Sequence, residues 1–445
     1  MTTLHSSSRL SRRHWLQLSS LGLAGFSVSG WLDTLASETA RHPDRRRSCI
    51  LLWMTGGPSQ IDTLDMKPGH SNGGPFKPIE TSVPGLRISE HLPKLARVME
   101  HVVPIRSMST KEGDHARATY QLRTGYKPVG PIHYPTLGSL LSKELGTDEA
   151  ELPNYVAIAP NRSLNPSAYG PGFLGPAYAP LIVGGSNAGP GGNTSLQVKN
   201  LDLPRGINQN EADERLMLLD QLETDFTASR PGIIGTSHRA AYRAAVKMMR
   251  SEAVKAFQLD EESAALRETY GRHLFGQGCL LARRLVERGV PIVEVSLNGV
   301  QGTNTLGWDT HINNFENVRR LCTVLDSAWS SLITDLKDRG LLESTLIVWM
   351  GEFGRTPEIN RNQGRDHFPA AWTMALAGGG IRGGQTLGRT SDDGMQVVDR
   401  PVAVPDLMAT ICRALGVDPM NQNLSNVGRP IRLADPEAKP IEEIL

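Results

Sequence analysis

The sequence predicts an α/β protein built on a mostly parallel, doubly wound sheet with helices on both faces. Short continuous apolar runs bounded by glycine or proline are typical of strands that are buried on both sides. These runs alternate with segments of helical periodicity, as in proteins whose parallel strands are joined by helices. The predicted strands cover residues 49–54, 102–105, 155–159, 291–297, 345–350 and 372–377, and the predicted helices cover residues 91–101, 134–145, 315–336 and 405–415.

The middle of the chain interrupts this alternation. Residues 160–193 are rich in Gly, Pro, Ser and Asn, so we expect them to lie over the surface without building a packed element. Residues 210–275 are rich in charge and largely helical in pattern. We therefore predict one α/β domain over residues 48–435 that carries a loop-rich and helical insertion at 160–275, followed by a C-terminal tail at 436–445.

Composition bears on which partners the protein binds and on the role of its cysteines. The 47 Lys and Arg residues nearly balance the 46 Asp and Glu residues, and this near-neutral charge argues against nucleic acid as a partner. Four cysteines are far apart and form no C-x-x-C pair. They are interpreted as small buried hydrophobic residues, not as a disulfide framework or a zinc knuckle.

The N-terminus carries a targeting pattern. Arg12 and Arg13 follow a polar residue and precede Trp15 and Leu16, and a mildly apolar stretch runs to Leu35. This pattern predicts a Tat-type export signal over residues 1–40, with the Tat translocase as partner and the periplasm or another extracytoplasmic part of the cell envelope as destination. An ordinary amphipathic segment is the alternative. No clean A-x-A cleavage site is present, so retention as a membrane anchor stays open.

Acidic and histidine side chains follow the last predicted strands. Asp309 and His311 come after residues 291–297, while Glu352 follows residues 345–350 and Asp366-His367 follows shortly after. Doubly wound sheets bind ligands outside the carboxyl ends of their strands, and residues two apart in an extended segment point the same way. We predict that Asp309, His311, Glu352, Asp366 and His367 bind a divalent metal such as Zn, Mn, Mg or Ca. A helix-capping role is the alternative for Asp309 and His311.

An anion site is predicted from the arginines. His115 and Arg117 open a helix, and a helix N-terminus favours anions. Arg117 is a candidate catalytic residue that would hold phosphate or sulfate, and Arg355 and Arg365 are further candidates for anion binding. His115 is a candidate ligand, base or nucleophile, and capping or surface exposure is its alternative.

The first predicted strand ends in a glycine-containing turn. Thr55, Ser59 and Asp62 are candidate oxygen donors there, because Gly56 and Gly57 would let the backbone approach a ligand closely.

Six segments together resemble a known bacterial family. They are "GGPSQIDTLDMKP", "HARATYQLRTG", "WDTH", "GEFGRTPEIN", "GRDHFPAAW" and "DLMATICRALGVDP", and their order resembles that of domain of unknown function 1501, many of whose members carry Tat signals. The resemblance covers nearly everything after Arg47. That family is grouped with the alkaline phosphatase and sulfatase superfamily, so the resemblance implies an alkaline-phosphatase-like core and metal-dependent hydrolysis of phosphate or sulfate esters.

The resemblance also assigns roles to individual residues. Asp309, His311 and His367 resemble metal ligands of the superfamily, and Glu352 stands where the superfamily has an acidic ligand. His115 stands where sulfatases have the cysteine that becomes the nucleophile. The chain departs from the superfamily in having no Ser, Thr or Cys at that position and no Asp directly after the first strand.

These motifs and departures are compatible with two functions. The first is an exported metal-dependent hydrolase of phosphate or sulfate esters, with a small-molecule or glycan ester as substrate. The second is a catalytically inactive binding or scaffold protein of the cell envelope with the same fold, which the missing hydroxyl nucleophile favours.

Overall fold

A central sheet of seven strands organises the computed structural model, which describes residues 47–128, 130–184, 196–198, 201, 203, 205–229, 233–303 and 305–445. The strands are β1 (Ser48–Met54), β2 (Pro78–Glu80), β3 (Arg87–Ser89), β4 (Val102–Met108), β5 (Tyr155–Ile158), β6 (Leu181–Val183), β7 (Ile292–Leu297), β8 (Thr345–Met350), β9 (Gly354–Arg355), β10 (His367–Phe368), β11 (Trp372–Gly378), β12 (Arg389–Thr390), β13 (Val397–Asp399), β14 (Gln422–Leu424) and β15 (Pro430–Arg432). The predicted export segment, residues 1–40, lies outside the described residues.

The helices alternate with these strands. The α-helices are α1 (His115–Thr124), α2 (Leu137–Leu145), α3 (Gln209–Ser229), α4 (Ile233–Met249), α5 (Ala264–Tyr270), α6 (Leu274–Glu287), α7 (Asn314–Asp338) and α8 (Val404–Ala414). Shorter 3-10 helices include Leu95–His101, Pro166–Tyr169 and Glu442–Ile444. None of the helices within the described residues has the length and apolar character that crossing a membrane requires.

The sheet has the strand order β4-β11-β8-β1-β7-β5-β6. Neighbouring strands are parallel except for β11, which runs antiparallel to both β4 and β8. The predicted α/β class with a mostly parallel sheet is therefore confirmed. The direction of β11 matters for the site, because it brings the amino end of this strand to the edge where the other six strands have their carboxyl ends.

Each face of the sheet is covered by its own hydrophobic core. Along β1, Leu52 contributes to one core and Trp53 to the other, as the alternation of side chains in a strand requires. Helices α6 and α7 pack on the first face, where Trp329 of α7 stacks on Trp349 of β8 with ring centroids 5.4 Å apart. Helices α2 and α8 cover the second face. All four cysteines are free and buried, which confirms their interpretation as buried hydrophobic residues.

Two segments pack more closely than the sequence predicts. Within residues 160–193, β6 pairs with β5 at the edge of the central sheet, and Tyr169 and Val183 are buried. The prediction that this segment builds no packed element is wrong, because three consecutive apolar residues suffice for an edge strand. At the chain end predicted as a tail, Ile441 and Ile444 are fully buried against the second core.

Candidate metal centre

Four chain segments meet above the carboxyl edge of the sheet. The loop after β4 leads to His115, the first residue of α1, and the loop after β7 carries Asp309 and His311. The loop after β8 carries Glu352. His367 precedes β11, and it reaches the same edge because β11 runs antiparallel to its neighbours.

The carboxylate of Asp309 is the common point of this cluster. Its Oδ1 lies 3.2 Å from Nε2 of His115, 3.1 Å from Nε2 of His311 and 3.3 Å from Nε2 of His367. The Nε2 atoms of His311 and His367 are 3.0 Å apart. Potential ligand atoms of His115, Asp309 and His367 all lie within 4.8 Å of one another.

Each of the three imidazoles is held from behind by an acceptor. Nδ1 of His115 lies 2.8 Å from Oε1 of Glu352, and Nδ1 of His311 lies 2.7 Å from Oδ1 of Asp366. Nδ1 of His367 lies 2.8 Å from the carbonyl oxygen of Gly113. Carbonyl and ionised carboxylate oxygens only accept, so each Nδ1 carries a proton and donates it. This arrangement is how proteins orient histidines that bind metals.

The resulting protonation pattern fits a cation at the centre. In neutral imidazoles whose Nδ1 is protonated, Nε2 carries a lone pair, so His311 and His367 direct two lone pairs at each other across 3.0 Å. Only a proton or a metal ion between them removes that repulsion. Atoms separated by 3.1–3.3 Å, as around Asp309, are close enough together to be held by one metal ion.

The ionisable groups of the cluster are strongly perturbed. Burial on its own would lower the pKa of His115, but the carboxylates of Asp309 and Glu352 outweigh it and raise the pKa to about 9. Burial would raise the pKa of Asp309, yet hydrogen bonds from His115 and His367 and the charge of Arg355 hold it well below its ordinary value. Without a metal, an imidazolium at position 115 balances these carboxylates. A metal ion would have to displace its proton.

Two buried atoms of the cluster have no hydrogen-bond partner among the described residues. Nε2 of His115 is close to Asp309 but poorly aligned with it, and Oε2 of Glu352 is fully buried and unpartnered. Unsatisfied buried polar atoms are rare in native proteins and mark functional sites or missing ions. These two unpartnered atoms are therefore compatible with a metal ion bound at the cluster.

Contacts with neighbouring elements position Asp309 and His115. Gly56 has φ +101°, and a Cβ atom there would lie 2.4 Å from the backbone nitrogen of Asp309, so only glycine lets the turn after β1 approach Asp309. Helix α1 is locked onto the sheet by Arg123, whose buried guanidinium forms two hydrogen bonds with Glu294 on β7. That contact sets the direction from which His115 reaches Asp309.

The predicted metal ligands separate into two layers. Ligand atoms of His115, Asp309 and His367 form one group, and His311 lies beside Asp309 and His367. Of the roles that the sequence leaves open for His115, this position fits that of a ligand. Glu352 and Asp366 were expected to bind the metal directly. In the structure their nearest carboxylate oxygens accept from His115 and His311, and direct metal binding by these two residues stays a prediction.

The three predicted anion-binding arginines are occupied by protein acceptors. Arg365 is fully buried, and all five of its N–H groups have acceptors: both oxygens of Asp62 and the carbonyls of Asn72, Thr356 and Pro357. Arg355 is also fully buried and donates to Asp309 Oδ1 at 2.7 Å and to backbone carbonyls. Arg117 is exposed and forms two hydrogen bonds with Glu112 at 2.8 and 3.0 Å. These arginines thus have structural partners where we predicted an anion.

The predicted oxygen donors after β1 also lie behind the cluster. Thr55 donates to Asn298 at 2.8 Å, and Ser59 donates to Asp62 at 2.6 Å. Asp62 in turn pairs with Arg365. These three side chains are buried and hydrogen-bonded to protein partners, so they support the turn that carries Gly56.

A groove of about 700 Å³ opens beside Asp309 and His311. Its walls include Phe315, Asn317 and Arg320 from α7. The volume falls within the range of about 300–1,000 Å³ typical of small-molecule sites. The groove gives a ligand of that size access to one side of the cluster.

The fold and the cluster define an α/β protein with a candidate metal centre of His115, Asp309 and His367, with His311 beside it, at the carboxyl edge of a mostly parallel sheet. The chain belongs to the family described as protein of unknown function (DUF1501), whose model matches residues 46–445, the family that the motifs predicted. No curated protein matches the chain.

The chain is similar to several solved structures that are distant from it in sequence. The PsFucS1 sulfatase from Pseudoalteromonas sp. is 14% identical, with 87% of this chain and 71% of that chain covered and a TM-score of 0.41. A protein in the alkaline phosphatase superfamily from Vibrio parahaemolyticus is 12% identical, with coverages of 88% and 76% and a TM-score of 0.39. The C-terminal periplasmic domain of EcEptC from Escherichia coli, in complex with Zn, is 10% identical, with coverages of 90% and 92% and a TM-score of 0.39.

Proposed function

We propose that this protein is an exported metal-dependent hydrolase of sulfate or phosphate esters. The observation that carries the proposal is the orientation of three imidazoles, each with Nδ1 bound to an acceptor and Nε2 directed at Asp309. A capping or surface role for these histidines would not require that shared geometry. The ester class comes from the family resemblance of the motifs around these residues.

The donor set favours zinc among the metals considered. His115, His311 and His367 would supply three nitrogens and Asp309 one oxygen. Imidazole ligands suit Zn and other late first-row metals, whereas Mg and Ca select oxygen ligands. When bound, such an ion supplies Lewis-acid chemistry: it polarises an ester oxygen and lowers the pKa of water toward about 7.

The residues around the centre would prepare it for that chemistry. Glu352 and Asp366 fix the rings of His115 and His311, and Arg355 holds Asp309 ionised. Asp309 and His311 line the groove. Its other walls, Asn317, Arg320 and the Phe315 ring, offer polar and apolar contacts for the rest of an ester, including a glycan.

Turnover by the metal-loaded protein tests the proposal. The protein is stripped with a chelator, reloaded with zinc or manganese, and assayed with 4-nitrophenyl sulfate and 4-nitrophenyl phosphate. We expect metal-dependent turnover that Asp309→Ala and His367→Ala abolish. His133→Ala is the matched control, because His133 is exposed and forms no contact with the cluster. Absence of turnover in the zinc-loaded and manganese-loaded wild type would contradict the hydrolase.

An inactive binding protein is the second candidate. The specific observation in its favour is His115, which occupies the position of the nucleophile in the resemblance, has Nδ1 bound to Glu352 and has Nε2 3.2 Å from Asp309. In that case the stripped and reloaded protein binds an ester with the same affinity before and after prolonged incubation and releases no product.

Export is tested separately. Replacing Arg12 and Arg13 by lysine should keep the protein in the cytoplasm, because the twin arginines are the feature that a Tat receptor reads. Fractionation of cells that express the wild type and the double variant measures this. Equal export of both would contradict Tat targeting.

A further inference from the structure

The groove beside Asp309 and His311 contains a cation that the metal centre does not use. Arg320 of α7 lines the groove and is the only lysine or arginine among the described residues that do so. Its Nε donates to Oε1 of Glu316 at 2.9 Å, while its two terminal nitrogens form no hydrogen bond with any described residue. A guanidinium has five N–H donors, so most of those of Arg320 remain for a ligand.

Two arginines share the carboxylate of Glu316. Oε1 accepts from Arg320 at 2.9 Å, and Oε2 accepts from Arg319 at 2.8 Å. Because one negative charge faces two positive charges, this turn of α7 carries a net positive charge. The side chain of Arg320 is 47% exposed, and exposed ion pairs are weak, so an incoming anion can compete with Glu316 for the guanidinium.

The backbone places Arg320 along the groove from the candidate metal ligands. Thr310, between Asp309 and His311, donates to Asn314 at 2.6 Å and so ties the first residue of α7 to that segment. Arg320 follows Asn314 by about 9 Å along the helix axis, at a rise of about 1.5 Å per residue. The loop after β7 closes over it, because a Cβ atom at Gly302 would lie 2.7 Å from Nη1 of Arg320. The groove therefore extends from the candidate ligands to this guanidinium.

The lining between these two points suits a sugar ring. Asn317 donates from Nδ2 to the carbonyl oxygen of Ile312 at 3.0 Å, which leaves its Oδ1 to accept from a ligand hydroxyl. The side-chain amides of Asn313 and Gln363 also line the groove and form no hydrogen bond with any described residue. Phe315 and Ile312 add apolar surface. A few polar groups beside apolar side chains are typical of sites for small ligands.

We propose that Arg320 binds a second anionic group on the substrate, so that the groove selects sugar esters that carry a sulfate, phosphate or carboxylate in addition to the ester at the metal centre. A guanidinium can bind each of these groups through two parallel hydrogen bonds. This assignment rests on the proposed function for the identity of the reacting ester. The preference for a second anionic group, however, is measurable without turnover.

Titration calorimetry with two pairs of sugars tests this preference in the full chain loaded with zinc. Glucose 6-phosphate is compared with glucose 1,6-bisphosphate, and N-acetylglucosamine 6-sulfate with N-sulfoglucosamine 6-sulfate. We expect the wild type to bind the second member of at least one pair about tenfold or more tightly, because hydrogen bonds between charged groups are among the stronger ones. The pair that shows the preference distinguishes phosphate from sulfate as the second group. For any sugar that the protein hydrolyses, KM is compared instead.

Two neighbouring arginines provide a matched comparison. Arg320→Gln should abolish the preference and leave the affinity for the sugar with one anionic group nearly unchanged. Arg319→Gln is the control, because Arg319 also pairs with Glu316 on α7 but does not line the groove. It should keep the preference of the wild type. Equal melting temperatures of the two variants and the wild type exclude misfolding as the cause of a difference.

The outcomes separate the role of Arg320 from the hydrolase. A wild type that binds none of the four sugars, or binds both members of each pair equally, would overturn the role of Arg320. Loss of the preference to the same extent in both variants would also overturn it, since net charge alone would then explain the effect. Hydrolysis of both members of each pair with equal KM would overturn it and leave the hydrolase intact. A preference lost only in Arg320→Gln, together with no turnover in the wild type, would support the subsite and reject the hydrolase.

Discussion

Arg355 and His367 stand directly opposite each other in the short ladder between β9 and β10, and both reach Oδ1 of Asp309. Nη2 of Arg355 lies 2.7 Å from this oxygen and Nε2 of His367 lies 3.3 Å from it. The pairing of β9 with β10 thus brings the buried Arg355 and the candidate ligand His367 to the same carboxylate, that of Asp309. Arg355 keeps that carboxylate ionised, which a metal ligand requires.

Removing the carboxylate behind His311 should weaken metal binding without unfolding the protein. Asp366 is exposed, so Asp366→Ala should leave stability nearly unchanged but free the His311 ring to rotate. We expect a loss of about 10- to 100-fold in metal affinity, as for other partners of metal-binding histidines. Chelator competition measures it. Asp392→Ala, which removes another exposed carboxylate, is the control, and equal affinity in both variants would contradict an orienting role for Asp366.

The close approach of the turn after β1 to Asp309 depends on Gly56. Gly56→Ala would place Cβ 2.4 Å from the nitrogen of Asp309 and 2.5 Å from the oxygen of Leu306, so we expect Asp309 to shift and metal affinity to fall. Gly69 is the control, because it also has positive φ, +87°, but open space around its Cβ position. Gly69→Ala therefore reports backbone strain alone. Identical metal affinity in the two variants would show that the close approach at Gly56 does not position Asp309.

Arg365 should matter for stability more than for anion binding. Arg365→Gln leaves Asp62 as an unpaired buried carboxylate, and breaking such a pair costs about 3–5 kcal/mol. Denaturant unfolding measures this cost. Arg117→Gln, at an exposed pair, should change stability by no more than about 1 kcal/mol. If Arg365→Gln unfolds like the wild type but binds sulfate or phosphate weakly, Arg365 is an anion-binding arginine, as its sequence context predicts.

A half-buried histidine outside the site should make the free energy of unfolding depend on pH. Burial lowers the pKa of His273 to about 4, and its Nδ1 caps α6 by accepting from the backbone nitrogen of Gly276 at 2.9 Å. Because the folded pKa lies below the unfolded value of about 6.5, this contribution is present above pH 6.5 and is lost as pH falls toward 4. An imidazolium cannot accept the capping hydrogen bond.

Unfolding at pH 7 and pH 5 tests this linkage. The wild type should lose about 1–2 kcal/mol more between these values than His273→Asn, whose side chain caps without titrating. Parallel pH profiles of the wild type and the variant would show that His273 is not the titrating group.

The apolar pattern predicted six of the seven strands of the central sheet but not β6, and β8 begins and ends at the predicted residues. Periodicity carries no information on strand direction, so the antiparallel course of β11, which delivers His367 to the site, was not predictable. For the same reason the sequence predicted which residues lie at this edge of the sheet, but not which of them contact one another. Glu352 contacts His115 across 237 positions, and local spacing cannot show that it lies behind a ligand.

Metal content tests the central claim most directly. Protein purified after native export is analysed by elemental analysis beside Asp309→Ala, His367→Ala and the control His133→Ala. We predict about one zinc ion per chain in the wild type and in His133→Ala, and its loss in the other two variants. A folded wild type that contains no metal and takes up none on addition of zinc would contradict the metal centre, and with it the hydrolase.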